Sequence, residues 1–316
     1  MSNLIMLLDA NSIGHAAQNG TKLTVGDRQT QAIFGFLRTL RNTMSKFPGY
    51  RPIVLWDDKA HFRFELFPGY KDRTGKNERA DAERAAYEEQ RPEIKKGLYH
   101  LGVTQMRAPG FEADDLAYAL SKAHSKHGRR VLLVTGDADW KQMVDENIVW
   151  YEHRQDHQRT VGLHNFFEDT GCKTPQSFVE AKAMQGDSSD TIPGIGGLGE
   201  KGAAEFLAQY GSVYNFLDLA KRNELPNRLP AAHRRLRDNE PPSPSKKYGQ
   251  MLPLQDAFER NMQLMDLSRA PKIEPNGINK ASGVLNEEAF GLFCQQHFFN
   301  SIIGDPRWLD PFRAGV

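Results

Sequence analysis

The chain has 316 residues, 39% of them hydrophobic, which is enough for one large domain or two ordinary ones with a sizeable core. Its 41 basic and 40 acidic residues nearly cancel, so net charge neither demands nor excludes a polyanionic partner. The two cysteines, Cys172 and Cys294, are too few and too far apart for a disulfide framework or a zinc cluster and fit a reducing cytosol.

The first element is "LIMLLD" (4–9), a continuous apolar run ending in Asp9; without a basic leader or cleavage signal it reads as a buried strand, not a signal peptide. No apolar segment approaches the ~20 residues needed to cross a membrane. Residues 29–46 place Ile33, Phe34, Leu37, Leu40 and Met44 at helical spacing. "PIVLWD" (52–57) repeats the strand-plus-acid form and ends in Asp57, chosen over Asp58 because it follows the apolar run directly. Residues 58–97 are densely charged and, from composition alone, read as a solvated helical excursion. Residues 113–127 predict an amphipathic helix stopped by Gly128; "RVLLVTGDAD" (130–139) predicts a strand followed by Asp137 and Asp139, and "NIVWY" (147–151) a fourth strand. Apolar strands alternating with helices predict an α/β fold with a mostly parallel sheet. After residue 175 the chain turns helical, with helices at 176–185 and 200–209, and the Pro-rich, basic stretch 222–250 reads as a mobile loop.

Ligands of open α/β sheets bind beyond the carboxyl ends of the strands, and Asp9, Asp57, Asp137 and Asp139 all fall there. Any one of them is explained as a turn or cap residue; three strands delivering Asp to one edge are not. "FEADD" adds Glu112, Asp114 and Asp115 at a helix start. At ~6 Å and an effective dielectric of ~20 each like-charged pair costs roughly 3 kcal/mol. A helix dipole accounts for one acid there, not for three. "GDSSD" offers Asp187 and Asp190, which alone would be an ordinary turn. An all-oxygen set of nine acids without His or Cys suits Mg²⁺ or Mn²⁺, and can neutralise two or more ions able to assist phosphodiester hydrolysis.

"TIPGIGGLGEKGAAEFL" (191–207) predicts a helix-hairpin-helix, within about 185–209, in which Gly194, Gly196, Gly197 and Gly199 let backbone approach a ligand and Lys201 adds charge at a helix start. Such an element grips the DNA backbone without reading sequence. "YKDR" supplies Tyr70, Lys71 and Arg73, bases able to clamp a phosphate near the acids.

In order, "LLDAN", "VLWDD", "YK", "GFEADD", "TGDADW" and "MQGDSSDTIPGIGGLGEKGA" resemble the structure-specific 5′-nucleases: flap endonucleases, the 5′-nuclease domain of bacterial DNA polymerase I and, above all, small free-standing bacteriophage 5′→3′ exonucleases. "ERNMQLMDL" (259–267) resembles their last helix, so the likeness runs from about residue 3 to 270. It implies a PIN-like nuclease core over 1–174 with a helical arch at about 60–97. It also implies a helical DNA-binding region over 175–316 with a helix-3-turn-helix. The implied activity is metal-dependent cutting near 5′ ends at single-strand/duplex junctions. By resemblance Asp9, Asp57, Glu112, Asp114 and Asp115 form one metal group and Asp137, Asp139, Asp187 and Asp190 a second. Lys71 matches the family's arch lysine. "YKDR" departs from the family's "YKxNR", so Arg79 and Arg84 stand beside Arg73 as candidates for the arch arginine. The family also implies K⁺ at hairpin carbonyls; DNA flaps, 5′ ends and RNA–DNA hybrids as partners; a monomer acting in trans on replication intermediates; and a cytoplasmic location, that of a bacterial host if phage-encoded. The rivals are a non-catalytic DNA-junction binder, a PIN-type ribonuclease and an aspartyl phosphatase. The last wants Asp-x-Asp, and here Asn11 follows Asp9 at that spacing.

Overall fold

The computed structural model describes residues 3–72, 78–244 and 249–315. They divide into two compact units: Met1–Lys59 with Gly75–Thr160 and Lys272–Val316, and Ala60–Thr74 with Val161–Pro271. The tail, Lys272–Val316, clusters with the first unit.

The first unit is built on a sheet whose strands are β1 (Leu4–Asp9), β2 (Arg51–Trp56), β3 (Thr104–Arg107), β4 (Arg130–Val134), β5 (Ile148–Tyr151), the two-residue edge β6 (Thr160–Val161) and β7 (Asn279–Ala281). Their order is β7-β3-β2-β1-β4-β5-β6. β1 lies at the centre, parallel to β2 and β4 with Leu7 opposite Ile53 and Leu133; β7 pairs antiparallel with β3. The sheet is thus mostly parallel, as expected, and β1, β2, β4 and β5 are largely apolar because both faces are covered. Side chains alternate across it. Met6, Leu8, Val54, Trp56, Leu132 and Val134 point into a core with α1 (Ala10–Gln18), α2 (Gln31–Lys46) and α3 (Glu78–His100). The same core takes Phe290, Phe293, Trp308 and Phe312 from the tail. α4 (Ala113–Lys126) packs on β1, β2 and β4. The arch segment expected at 60–97 comprises a short helix, His61–Leu66, in the second unit and α3 in the first, with 73–77 outside the described residues.

The second unit is helical: α5 (Pro175–Gln185), α6 (Glu200–Tyr210), α7 (Val213–Lys221), α8 (Ala231–Arg237) and α9 (Leu254–Met265). A two-stranded hairpin, Gly186–Asp187 against Ile192–Pro193, leads from α5 toward α6. Asn261 of α9 is fully buried and donates from Nδ2 to the carbonyls of Ala183 and Pro193, both at 2.8 Å, tying the hairpin to the helix. Gly194 is required there: a Cβ would lie 2.3 Å from the Gln185 carbonyl oxygen. The stretch 222–250 is not simply a mobile loop, since α8 forms within it and buries His233 and Leu236; residues 245–248 lie outside the described ones. Among the described residues no helix is long and apolar enough to cross a membrane.

Candidate active site

In the first unit, the parallel strands end at one edge, and three of them hand an Asp to it. Asp9 closes β1 and caps α1: its Oδ1 accepts from the Ser12 N–H at 3.0 Å and its Oδ2 from the Thr135 hydroxyl at 2.7 Å. Asp57 follows β2 and accepts from the Ala113 N–H at 2.6 Å and from Asn11 Nδ2. The neighbouring Asp58 accepts from the Gly110 N–H at 3.1 Å. Asp137 follows β4; its amide donates to Thr135 Oγ1 and its Oδ1 accepts from the Asp139 N–H at 2.8 Å.

The acids of "FEADD" are sorted by the start of α4. Glu112 is the N-cap, and Asp115 reaches back to accept from the Glu112 N–H at 3.0 Å, closing a capping box. Asp115, 3% exposed, therefore has a structural task within the cluster as well. Asp114 is oriented by Trp140, whose Nε1 donates to its Oδ1 at 2.6 Å.

The electrostatics show that these groups converge. Burial first, and the Asp57 carboxylate second, push Asp9 up to about 6. Asp114 is raised well above the usual carboxylate range by burial, then by Asp137, Asp57, Asp9 and Glu112. Five acids thus act on one another in a site with raised proton affinity. Among the described residues no three His, Cys, Asp or Glu donors are already closed around a metal-sized point. The donor chemistry nonetheless fits a hard divalent cation: the set is all oxygen, and a cation would offset the burial and, after it, the mutual repulsion that drive Asp9 and Asp114 toward their protonated forms.

Residues absent from the sequence expectations hold this edge together. Tyr87 of α3 donates to the Ala10 carbonyl at 3.1 Å and to Asn11 Oδ1 at 3.2 Å, and Asn11 donates to Asp57. Ser12 Oγ accepts from the Gly136 N–H at 2.7 Å and lies 3.1 Å from His153 Nε2; burial pushes His153 down to about 4. Strand-end position revealed the acids, but their partners come from distant segments and carry no local signal.

In the second unit, Asp187 and Asp190 share the hairpin. Asp187 Oδ1 accepts from the amide and hydroxyl of Ser189, both at 2.7 Å, and Lys182 Nζ lies 3.5 Å from its Oδ2. Burial would raise it, but Ser189 and Lys182 outweigh burial and hold it below the usual range. Lys71, at φ 52°, donates its amide to the Asp190 carbonyl at 2.9 Å, and its Nζ lies 3.9 Å from Asp190 Oδ2. Tyr70, expected at the DNA, is 3% exposed and packed with Ile192, Leu264 and Met265. Arg73 lies outside the described residues. Gly196 and Gly197 have φ of 88° and 76°, Gly199 is the N-cap of α6 without a side-chain cap, and Lys201 is 90% exposed, 3.9 Å from Glu205.

Comparison with known proteins identifies the family and the fold. Residues 4–171 match the family described as 5′-3′ exonuclease, N-terminal resolvase-like domain, and residues 173–272 the one described as 5′-3′ exonuclease, C-terminal SAM fold. DNA polymerase I of Mycobacterium tuberculosis is 33% identical over 220 residues, 68% of this chain and 24% of that protein. The thermostable DNA polymerase I of Thermus thermophilus is 32% identical over 222 residues, 67% of this chain and 25% of that protein. The chain thus spans about a quarter of the length of these curated relatives. In fold it is similar to the D15 flap endonuclease of bacteriophage T5, solved with DNA and metal ions: TM-score 0.64, 19% identity, 93% of this chain and 98% of that one. It is also similar to the catalytic core of Rad2 solved with a DNA substrate: TM-score 0.56, 15% identity, 96% and 92% of the two chains.

Proposed function

Because the chain belongs to the 5′-3′ exonuclease family, we propose that it is a structure-specific 5′ nuclease that hydrolyses phosphodiesters near 5′ ends and flaps, as in primer removal during DNA replication and repair. The observation that carries the reading is the set of mutually repelling acids at the strand ends, with Asp9 and Asp114 raised by burial and by their neighbours. In it Asp9, Asp57, Glu112, Asp114, Asp115, Asp137 and Asp139 would hold divalent ions, Mg²⁺ or Mn²⁺; Asp187 and Asp190, on the hairpin of the second unit, are read as further ligands of such ions. When bound, such ions supply an activated water and stabilise the leaving oxygen.

The chain's own residues do the remaining work. Thr135 and Ser12 hold both oxygens of Asp9, and Trp140 and Asn11 orient Asp114 and Asp57, so the acids are preorganised. Lys71, braced on Tyr70 with its Nζ 5.1 Å from that ring's centroid, offers a cation for the phosphate being cut. The uncapped start of α6 and Lys201 offer amides and charge to the duplex backbone, and the turn carbonyls offer oxygens to K⁺. We further read the partner as DNA with 5′ ends, RNA–DNA hybrids included, bound by a cytoplasmic monomer.

The test is a 5′-labelled flap duplex with Mg²⁺, Mn²⁺ or EDTA. Cleavage in metal, none in EDTA, and loss of cleavage with retained binding in Asp114→Asn are expected. Metal-independent binding with no product from the wild type would instead establish a junction-binding protein.

A further inference from the structure

Beyond β5 the chain runs Glu152-His153-Arg154, and the two charged side chains pack over Gly136, next to Asp137. Glu152 is sunk to 2% side-chain exposure, whereas Arg154 keeps 50%. The pairing is bidentate: Nε donates to Oε1 and Nη2 to Oε2, each at 2.8 Å, and Nη2 also donates to the Gly136 carbonyl at 3.3 Å. The Arg154 amide joins in at 3.2 Å from Glu152 Oε1. Burial would raise Glu152, but these hydrogen bonds hold it below the usual range; Arg154 in turn is raised by Glu152 and feels Asp137.

Gly136 makes this clamp possible. Its φ is not positive, so its lack of a side chain is not a conformational need. The need is space: a Cβ would lie 2.9 Å from Arg154 Nε, 3.1 Å from Arg154 Cζ and 3.2 Å from Glu152 Oε1. The glycine of "TGD" is thus the floor on which the guanidinium rests, one residue from a candidate metal ligand.

Three of the five guanidinium N–H groups are committed to Glu152 and Gly136. The two on Nη1 make no hydrogen bond among the described residues, and half of the side chain faces water. A cation fixed along one edge with its other edge open has the geometry that binds phosphate oxygens. We propose that Arg154 is a DNA-phosphate contact: its Nη1 edge takes a non-bridging oxygen of a phosphate in the strand that passes Asp137, beside the one being cut, and Glu152 is the positioning residue that holds it there. This rests on the nuclease reading, which it deepens by adding a fixed point for the strand.

The alternative is that Arg154 only neutralises a buried carboxylate, so Arg154→Ala alone would be ambiguous. Glu152→Gln/Arg154→Gln removes both charges together and leaves no buried ion unpaired. Binding to a 5′-flap duplex is measured in EDTA at several salt concentrations, on DNA with single neutral methylphosphonate linkages placed in turn along the strand. The expected result is one linkage at which neutralisation weakens wild-type binding about tenfold and does not weaken the double variant. The double variant's salt slope should fall by ~0.7–0.9, the share of one phosphate. Equal sensitivity of both proteins at every linkage, or an unchanged salt slope, overturns the contact. Wild-type cleavage in Mg²⁺ is scored separately: a methylphosphonate signature without cleavage overturns the nuclease reading and leaves the contact standing.

Discussion

Asp9→Asn should stabilise the metal-free protein at neutral pH and lose that advantage in acid. Asp9 titrates at about 6 in the folded chain against 3.8 in an ordinary setting, because it is buried and faces Asp57. Between those values the folded chain holds a proton that the unfolded chain has released, so wild-type stability falls as pH rises through the window. About two units at 1.36 kcal/mol each make a cost of ~3 kcal/mol above pH 6. Asn removes it. Asn is as good an N-cap as Asp, so the bond from the Ser12 N–H survives, and the folded-state value already includes the Thr135 bond. The net expectation is a gain of ~3 kcal/mol at pH 7.5 and close to none at pH 3.5, where wild-type Asp9 is itself protonated. All four tryptophans, Trp56, Trp140, Trp150 and Trp308, lie in the first unit, so urea melts in EDTA followed by tryptophan fluorescence read that unit. Mg²⁺ should then raise the wild-type midpoint more than that of the variant. A wild-type/variant difference that is the same at both pH values would refute the electrostatic account.

Gly136→Ala should displace Arg154 and Glu152 and lower cleavage with little change in the urea midpoint; a midpoint loss that by itself accounts for the activity loss would count against it. Asn261→Leu should cost about 2–4 kcal/mol by stranding the Ala183 and Pro193 carbonyls, and circular dichroism melts would show it as an earlier helical transition. Lys71→Ala should slow single-turnover cleavage at least tenfold while flap binding in EDTA changes less; unchanged turnover would move that role to another base. Tyr87→Phe should cost about 1 kcal/mol and reduce the cleavage rate, because Asn11 loses a partner while holding Asp57; a rate equal to wild type would separate the tyrosine from the site.

Four of the strands were legible because burial on both faces leaves apolar runs at 4–8, 52–56, 131–134 and 148–151. β3, "TQMR", was not: its buried Gln105 is tolerated because Oε1 accepts from Trp56 Nε1 at 3.1 Å, a partner 49 residues away. β7, "NKA", is fully exposed and pairs by backbone alone, so it has no side-chain pattern to read. α8 was hidden by the Pro-rich, basic composition around it, although His233 and Leu236 have helical spacing. In the site, strand-end position revealed Asp9, Asp57 and Asp137. Tyr87, Asn11 and Trp140 act through partners that only the fold supplies. Asp187 shows the limit of counting acids, because Ser189 and Lys182 already satisfy much of it.

The return of the tail to the first unit has a consequence for the order in which a ribosome can deliver a finished fold. Phe290, Phe293, Trp308 and Phe312 fill the same core as Met6 and Leu8, so that core stays open to water until residues 290–312 have emerged. The helices between 175 and 265 leave the exit tunnel earlier. A nascent chain stalled before residue 290 would therefore expose apolar surface of the first unit for a chaperone to shield.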